Sequence, residues 1–157
     1  MDLILWRHAE AEDISEDGGD LSRQLTAKGK QQAATMARWL KKHGPQEPRI
    51  LVSPALRTQE TAQALARSFE TCAEIAPDAA VNALLKACHW PGGQHGHREA
   101  VILIGHQPTL GRLAARLLTG KEANWSVKKG AIWWLQRRVR IGTEETILKL
   151  VLPADLA

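Results

Sequence analysis

Three short stretches of this 157-residue sequence carry side chains suited to holding an anion and attacking it: Arg7-His8, Ser53-Pro54-Ala55-Leu56-Arg57 and Gly105-His106-Gln107-Pro108. Two guanidinium groups and two imidazoles, with no acidic cage beside them, suit a phosphoryl group better than a metal ion. Each arginine presents a planar fork that matches two phosphate oxygens. Phosphoryl transfer asks chiefly for positioning and charge stabilisation. A neutral imidazole can attack phosphorus in line and form a phosphohistidine, which divides hydrolysis into two easier steps. A second imidazole, when protonated, adds a hydrogen bond to the same oxygens. Backbone N–H groups opening a helix after Gln107 would add more.

The elements that must gather these groups are legible in the hydrophobic pattern. Leu3–Trp6, Ile50–Val52 and Val101–Ile104 are continuous apolar runs, the mark of strands covered on both faces. Arg7-His8, Ser53 to Arg57 and Gly105 to Pro108 each follow one of these runs. In an open α/β sheet, ligands bind beyond the carboxyl ends of the strands, so all three stretches fall on one rim. Helical spacing fills the intervals. Thr26 is a good N-cap for a helix to about Lys42, with Ala33, Met36, Ala37 and Leu40 on one stripe and Gly44-Pro45 ending it. A second helix is expected from about Arg57 to Ser68, with Thr61, Ala62 and Leu65 inward. A third opens at Pro108 and turns Leu110, Leu113, Ala114, Leu117 and Leu118 to the core.

Ala131–Arg138 and Thr146–Leu152 read as a closing hairpin that turns near Gly142, with adjacent Trp133 and Trp134 facing opposite sides. Glu10 to Arg23 reads as a polar loop. The predicted architecture is α/β: a three-layer sandwich with a mainly parallel central sheet and helices on both faces, formed by one domain over residues 1–157.

Composition narrows the classes. Hydrophobic residues make up 44% of the chain, enough for a real core. No run approaches the roughly 20 apolar residues of a membrane span, and the N-terminal apolar stretch is too short for a signal peptide. The expected location is the cytoplasm. Cys72 and Cys88 form neither a disulfide framework nor a CxxC pair and are expected to be plain thiols. A net charge of +4 favours an anionic ligand without pointing to nucleic acid.

Arg7-His8-Ala9, then Arg23-Gln24-Leu25-Thr26-Ala27-Lys28-Gly29, then Ser53-Pro54-Ala55-Leu56-Arg57-Thr58-Gln59-Glu60-Thr61-Ala62, then Gly105-His106 resemble the ordered signature of the histidine phosphatase superfamily. That superfamily includes cofactor-dependent phosphoglycerate mutases and acid phosphatases. The short length, the Arg-His-Ala-Glu start and Gly-His-Gln-Pro resemble its smallest branch, the SixA-like phosphohistidine phosphatases. The resemblance implies a minimal, short-loop phosphoglycerate mutase-like fold and spans Leu3 to Pro153. It assigns His8 as the phosphate-accepting nucleophile, Arg7 and Arg57 as phosphate clamps and His106 as the second histidine of the pocket. It implies no metal and no cofactor.

Other residues admit two readings. Arg23 either touches substrate or is structural, and Ser53 either donates to phosphate or holds a turn. Thr26 and Gly29 are expected to be structural, Gly29 by allowing close packing near the pocket floor. Cys88, His89, His95 and His97 are the one tract that suggests a metal, but their spacing is not that of a zinc finger. For a proton donor, Glu10, Asp78 and Glu99 are the nearest acidic residues and none aligns with the family pattern. A phosphomonoester leaves as a basic alkoxide and needs an acid, whereas phosphohistidine leaves as imidazole, whose conjugate acid has a pKa of about 6.5. The expected partner is therefore a phosphorylated protein. The alternative is a small phosphorylated metabolite, and less favoured is a phosphate-binding module without turnover.

Overall fold

The computed structural model describes residues 1–92 and 99–157. Its centre is a six-stranded sheet in the order β3-β2-β4-β1-β5-β6. The strands are β1 (Asp2–Arg7), β2 (Arg49–Val52), β3 (Glu70–Thr71), β4 (Ala100–Gly105), β5 (Ile132–Arg140) and β6 (Thr143–Leu152). β1, β2, β3 and β4 run parallel, and β5 and β6 complete the sheet antiparallel. The helices are α1 (Ala27–His43), α2 (Leu56–Gln63), α3 (Val81–Ala87) and α4 (Thr109–Thr119).

Alternation along β1 divides the core. Leu3 and Leu5 face a cluster built with α3 (Val81, Leu84) and α4 (Leu110, Leu113, Ala114). Ile4 and Trp6 face the opposite cluster, with Met36, Ala37 and Leu40 of α1 and Ala62 of α2. All four β1 side chains are fully buried, which explains why the central strands read as unbroken apolar runs. Trp133 packs on the first cluster and Trp134 on the second, on opposite sides of β5 as period-2 geometry requires. No helix among the described residues is long and apolar enough to cross a membrane.

Three expectations need correction. α2 ends at Gln63 and not near Ser68: the chain leaves it through tight turns (Leu65 N–H to Ala62 O, Ala66 N–H to Gln63 O), and Ala66 takes a left-handed φ of 51°. α4 begins at Thr109, with Pro108 as its N-cap residue. β6 starts at Thr143, three residues early, because Ile141 and Gly142 both adopt positive φ and close a tight hairpin turn. α3 and β3 are additional to the sequence reading.

Thr26 caps α1 by accepting from the Gly29 N–H at 2.9 Å. Gly29 is required by crowding: a Cβ there would stand 1.9 Å from the Glu10 carbonyl oxygen. α1 therefore presses on the backbone two residues past His8. Gly29→Ala is expected to lower stability by ~2–3 kcal/mol through overpacking. Urea denaturation checks this, and phosphate affinity should fall with it because the His8 segment is pushed aside.

Candidate active site

The parallel strand ends bring Arg7, His8, Arg57 and His106 into one cleft of about 290 Å³, lined also by Asp20, Arg23, Pro77, Asp78, Gln107 and Lys129. β1 and β4 are in register with Arg7 opposite Gly105, so the residues that follow, His8 and His106, emerge side by side. Their ring centroids are 5.3 Å apart. The Ser53–Ala55 turn ties Arg57 to this rim. Ser53 N–H donates to the Ile104 carbonyl (3.1 Å), and the Thr58 hydroxyl and the Gln59 amide both donate to the Ser53 carbonyl. The Thr61 hydroxyl donates to the Arg57 carbonyl at 2.7 Å and accepts from the Ala9 N–H at 3.1 Å, locking α2 to the segment that carries His8.

The two imidazoles are distinguished by their partners. His8 Nδ1 lies 2.7 Å from the Ala9 carbonyl, which can only accept. Nδ1 therefore carries the proton and Nε2 keeps its lone pair. His106 Nε2 lies 2.7 Å from the Ser53 hydroxyl. Among the described residues that nitrogen is the hydroxyl's only acceptor, so Nδ1 is the donor on His106, and it is buried without a partner. Ser53 is thus wholly buried beneath His106. Gly105 is the last residue of β4, packed against Leu103 and Leu110, and it has no positive φ.

Burial pushes His8 down to about 4, more strongly than the Ala9 carbonyl pulls it up, and the charges of Arg57 and Arg7 push the same way. Burial and the Arg57 charge push His106 down to about 3. Both rings are neutral at pH 7 in the anion-free protein, so the condition under which the second imidazole would donate as a cation is not met in the resting state. An unfolded chain protonates these rings near pH 6.5, before the native one does. Stability is therefore expected to fall as pH drops from about 6.5 toward 4. Urea midpoints measured across that range check the sign.

Arg7 and Arg57 are each anchored on one side. Arg7 Nη1 donates to the Val127 carbonyl at 2.8 Å. Arg57 Nη1 donates to the Asp20 carbonyl at 2.7 Å, and its Nη2 pairs with Asp20 Oδ2 at 3.0 Å. The Nε atoms of both are buried with no hydrogen-bond partner. Three buried N–H donors, Arg7 Nε, Arg57 Nε and His106 Nδ1, thus lack an acceptor in one small region. Buried donors are nearly always satisfied in native proteins, and a bound anion is the simplest acceptor for such a set.

The structure also sorts the uncertain residues. Arg23 reaches the cleft wall and pairs with Asp20 Oδ1 through Nε and Nη2. Gln107 lines the cleft, but its amide nitrogen is committed to the Trp125 carbonyl, leaving only its oxygen unpaired. Of the three acidic candidates, Asp78 alone lines the cleft, with a left-handed φ of 64°. Glu10 turns to Thr26 and Lys28, and Glu99 lies at the opposite, N-terminal end of β4. Cys72 and Cys88 are free and buried. His95 and His97 lie outside the described residues, and among the described ones no group of three metal-ligating side chains gathers. Sequence reasoning missed Asp20 and Lys129. Lys129 is carried to the rim because Gly130 N–H donates to the His8 carbonyl and the Trp6 indole donates to the Gly130 carbonyl.

The model of the histidine phosphatase superfamily (branch 1) matches residues 3–82. The chain is 30% identical over 130 residues to the phosphohistidine phosphatase SixA of Escherichia coli (strain K12), covering 77% of this chain and 76% of that one. It is 29% identical over 163 residues to an uncharacterised protein of Picosynechococcus, covering 98% and 97%. Among solved structures, that of the protein histidine phosphatase SixA complexed with tungstate superposes with a TM-score of 0.82 at 25% identity, over 99% of this chain and 98% of that one.

Proposed function

The chain belongs to the histidine phosphatase superfamily and is a phosphatase, and we propose that it removes the phosphoryl group from phosphohistidine displayed on another protein, by way of phospho-His8. His8 Nε2 attacks phosphorus as the P–N bond of the substrate breaks, and the departing imidazole takes a proton from solvent. Water then attacks phospho-His8, which releases inorganic phosphate and restores the neutral ring. Arg7, Arg57 and the His106 Nδ1–H hold the phosphoryl oxygens through both steps. The observation that carries the reading is the set of three unpartnered buried donors beside a neutral imidazole whose lone pair is fixed by the Ala9 carbonyl.

The choice of substrate rests on the rim and the leaving group. Of the ten residues that line the cleft only Pro77 is apolar, so there is little wall to enclose a small ligand's body. That favours a side chain presented by a macromolecule. Of the two carboxylates that line the cleft, Asp20 is paired with Arg57 and Arg23, and among the described residues Asp78 makes no hydrogen bond to His8 or His106; imidazole leaves without a dedicated acid more easily than an alkoxide does. Relatedness to a phosphohistidine phosphatase in Escherichia coli points the same way.

Asp78 also supports the second reading, a metabolite phosphomonoesterase, because it could protonate an alcohol leaving group. The test is a side-by-side comparison of kcat/KM on a phosphohistidine-bearing protein and on a panel of phosphorylated metabolites. The phosphoprotein is expected to lead the panel. A metabolite that is hydrolysed with clearly higher efficiency would reverse the assignment. A chelator is expected to leave the rate unchanged, since arginines and imidazoles supply the charge stabilisation; loss with EDTA and recovery with zinc would overturn the metal-free scheme.

A further inference from the structure

Asp20 stands where an anion would be expected. Its carboxylate takes Arg57 Nη2 at 3.0 Å while its other oxygen takes Arg23 Nε and Nη2 at 3.0 and 2.8 Å. The Arg57 side chain is only 4% exposed, whereas that of Asp20 is 56% exposed. The immobile partner is the arginine and the replaceable one is the acid. We propose that Asp20 is an internal competitor for the Arg57 clamp, which makes the cleft selective for a doubly charged tetrahedral anion over a carboxylate. The inference rests on the cleft being the phosphate site.

The exchange needs no refolding of the loop. Arg57 Nη1 is held by the Asp20 backbone carbonyl, which stays in place when the side chain rotates. The displaced carboxylate keeps its two bonds to Arg23, so it leaves Arg57 without being stranded. The turn that carries it is braced by its own contacts, with Asp17 accepting from Ser15, Gly19 and Ser22. Burial raises the Asp20 carboxyl, but hydrogen bonds and charge from Arg23 and Arg57 outweigh it and hold the group ionised.

Selectivity follows from counting acceptors. A free carboxylate brings two oxygens to a clamp already served by a tethered one, whose effective concentration is in the mM range or higher. A phosphoryl dianion brings three oxygens and can also satisfy Arg7 Nε, Arg57 Nε and His106 Nδ1, which the Asp20 carboxylate leaves unpartnered. It recovers more than it displaces. The apparent phosphate affinity is nonetheless reduced by the fraction of molecules in which Asp20 holds the clamp, and by repulsion between the two anions.

Calorimetric titration of the full chain with inorganic phosphate and with acetate, at about pH 8 where phosphate is mainly a dianion, tests this in the native protein, Asp20→Ala and Asp20→Asn. Phosphate is expected to bind roughly 10- to 100-fold more tightly to Asp20→Ala, with Asp20→Asn between it and the native protein. Acetate should bind measurably only to the variants. Unchanged or weaker phosphate binding in both variants, with native thermal midpoints, would overturn the competitor role and make Asp20 a residue that aligns Arg57. Failure of phosphate to bind any of the three proteins would instead overturn the phosphate site itself, and the inference with it.

Discussion

Replacing His8 with alanine is expected to lower turnover at least ~10⁴-fold and to abolish phosphoenzyme labelling, while inorganic phosphate still binds. The asymmetry comes from where the chemistry sits. Of the two imidazoles in the cleft, His8 is the one with a ring nitrogen free of hydrogen bonds and forced by its partner to carry a lone pair. His106 does not replace it: its Nε2 is occupied by Ser53, and its ring centre is 5.3 Å from that of His8, too far to serve the same in-line trajectory. The groups proposed to hold the anion, Arg7, Arg57 and His106 Nδ1, are untouched by the change. Rapid-quench labelling with a phosphohistidine protein separates the two effects. A variant that still forms an acid-labile phosphoprotein would place the nucleophile elsewhere.

The groups that make this prediction possible were legible because they follow strands with an unmistakable pattern. β1, β2 and β4 are buried on both faces, so each is a short apolar run, and reading the next few residues amounts to reading the rim of the sheet. What the pattern hid had no periodic signal. β3 is two exposed residues, and α3 spans only seven, less than two full turns of amphipathic repeat. α2 has no glycine or proline at its end, and it stops in tight turns at Leu65 and Ala66, the latter at positive φ, where local propensity would continue. Lys129 reaches the cleft through an irregular segment fixed by the distant bond from Gly130 N–H to the His8 carbonyl, and Asp20 opens a three-residue 3-10 turn too short to leave a periodic signal. The Ser53–His106 contact joins residues 53 apart and fixes a tautomer, a detail that no spacing encodes. Sequence thus located the cationic groups, and only the fold revealed that one of them is already shared with a carboxylate.

That sharing shapes what Arg57 should contribute. Arg57→Ala is expected to reduce kcat/KM by ~10²–10³-fold, about 3–4 kcal/mol, the scale of losing a preorganised donor to developing charge. It should also weaken phosphate binding, because the guanidinium is deeply buried at the cleft, on a residue whose backbone carbonyl is tied through Thr61 to the segment that carries His8. Arg57→Lys is expected to recover only a minor part of the loss: an ammonium keeps the charge but not the planar fork that serves the Asp20 backbone carbonyl and the phosphoryl oxygens together. Arg23→Ala should cost far less, below about tenfold, since Arg23 pairs with the exposed carboxylate of Asp20 and exposed pairs contribute little. Steady-state kinetics on a phosphohistidine protein, with phosphate titrations on the same variants, resolve these effects. A change within twofold for Arg57→Ala would remove the guanidinium from the clamp and leave His106 and Arg7 to hold the phosphoryl group unaided.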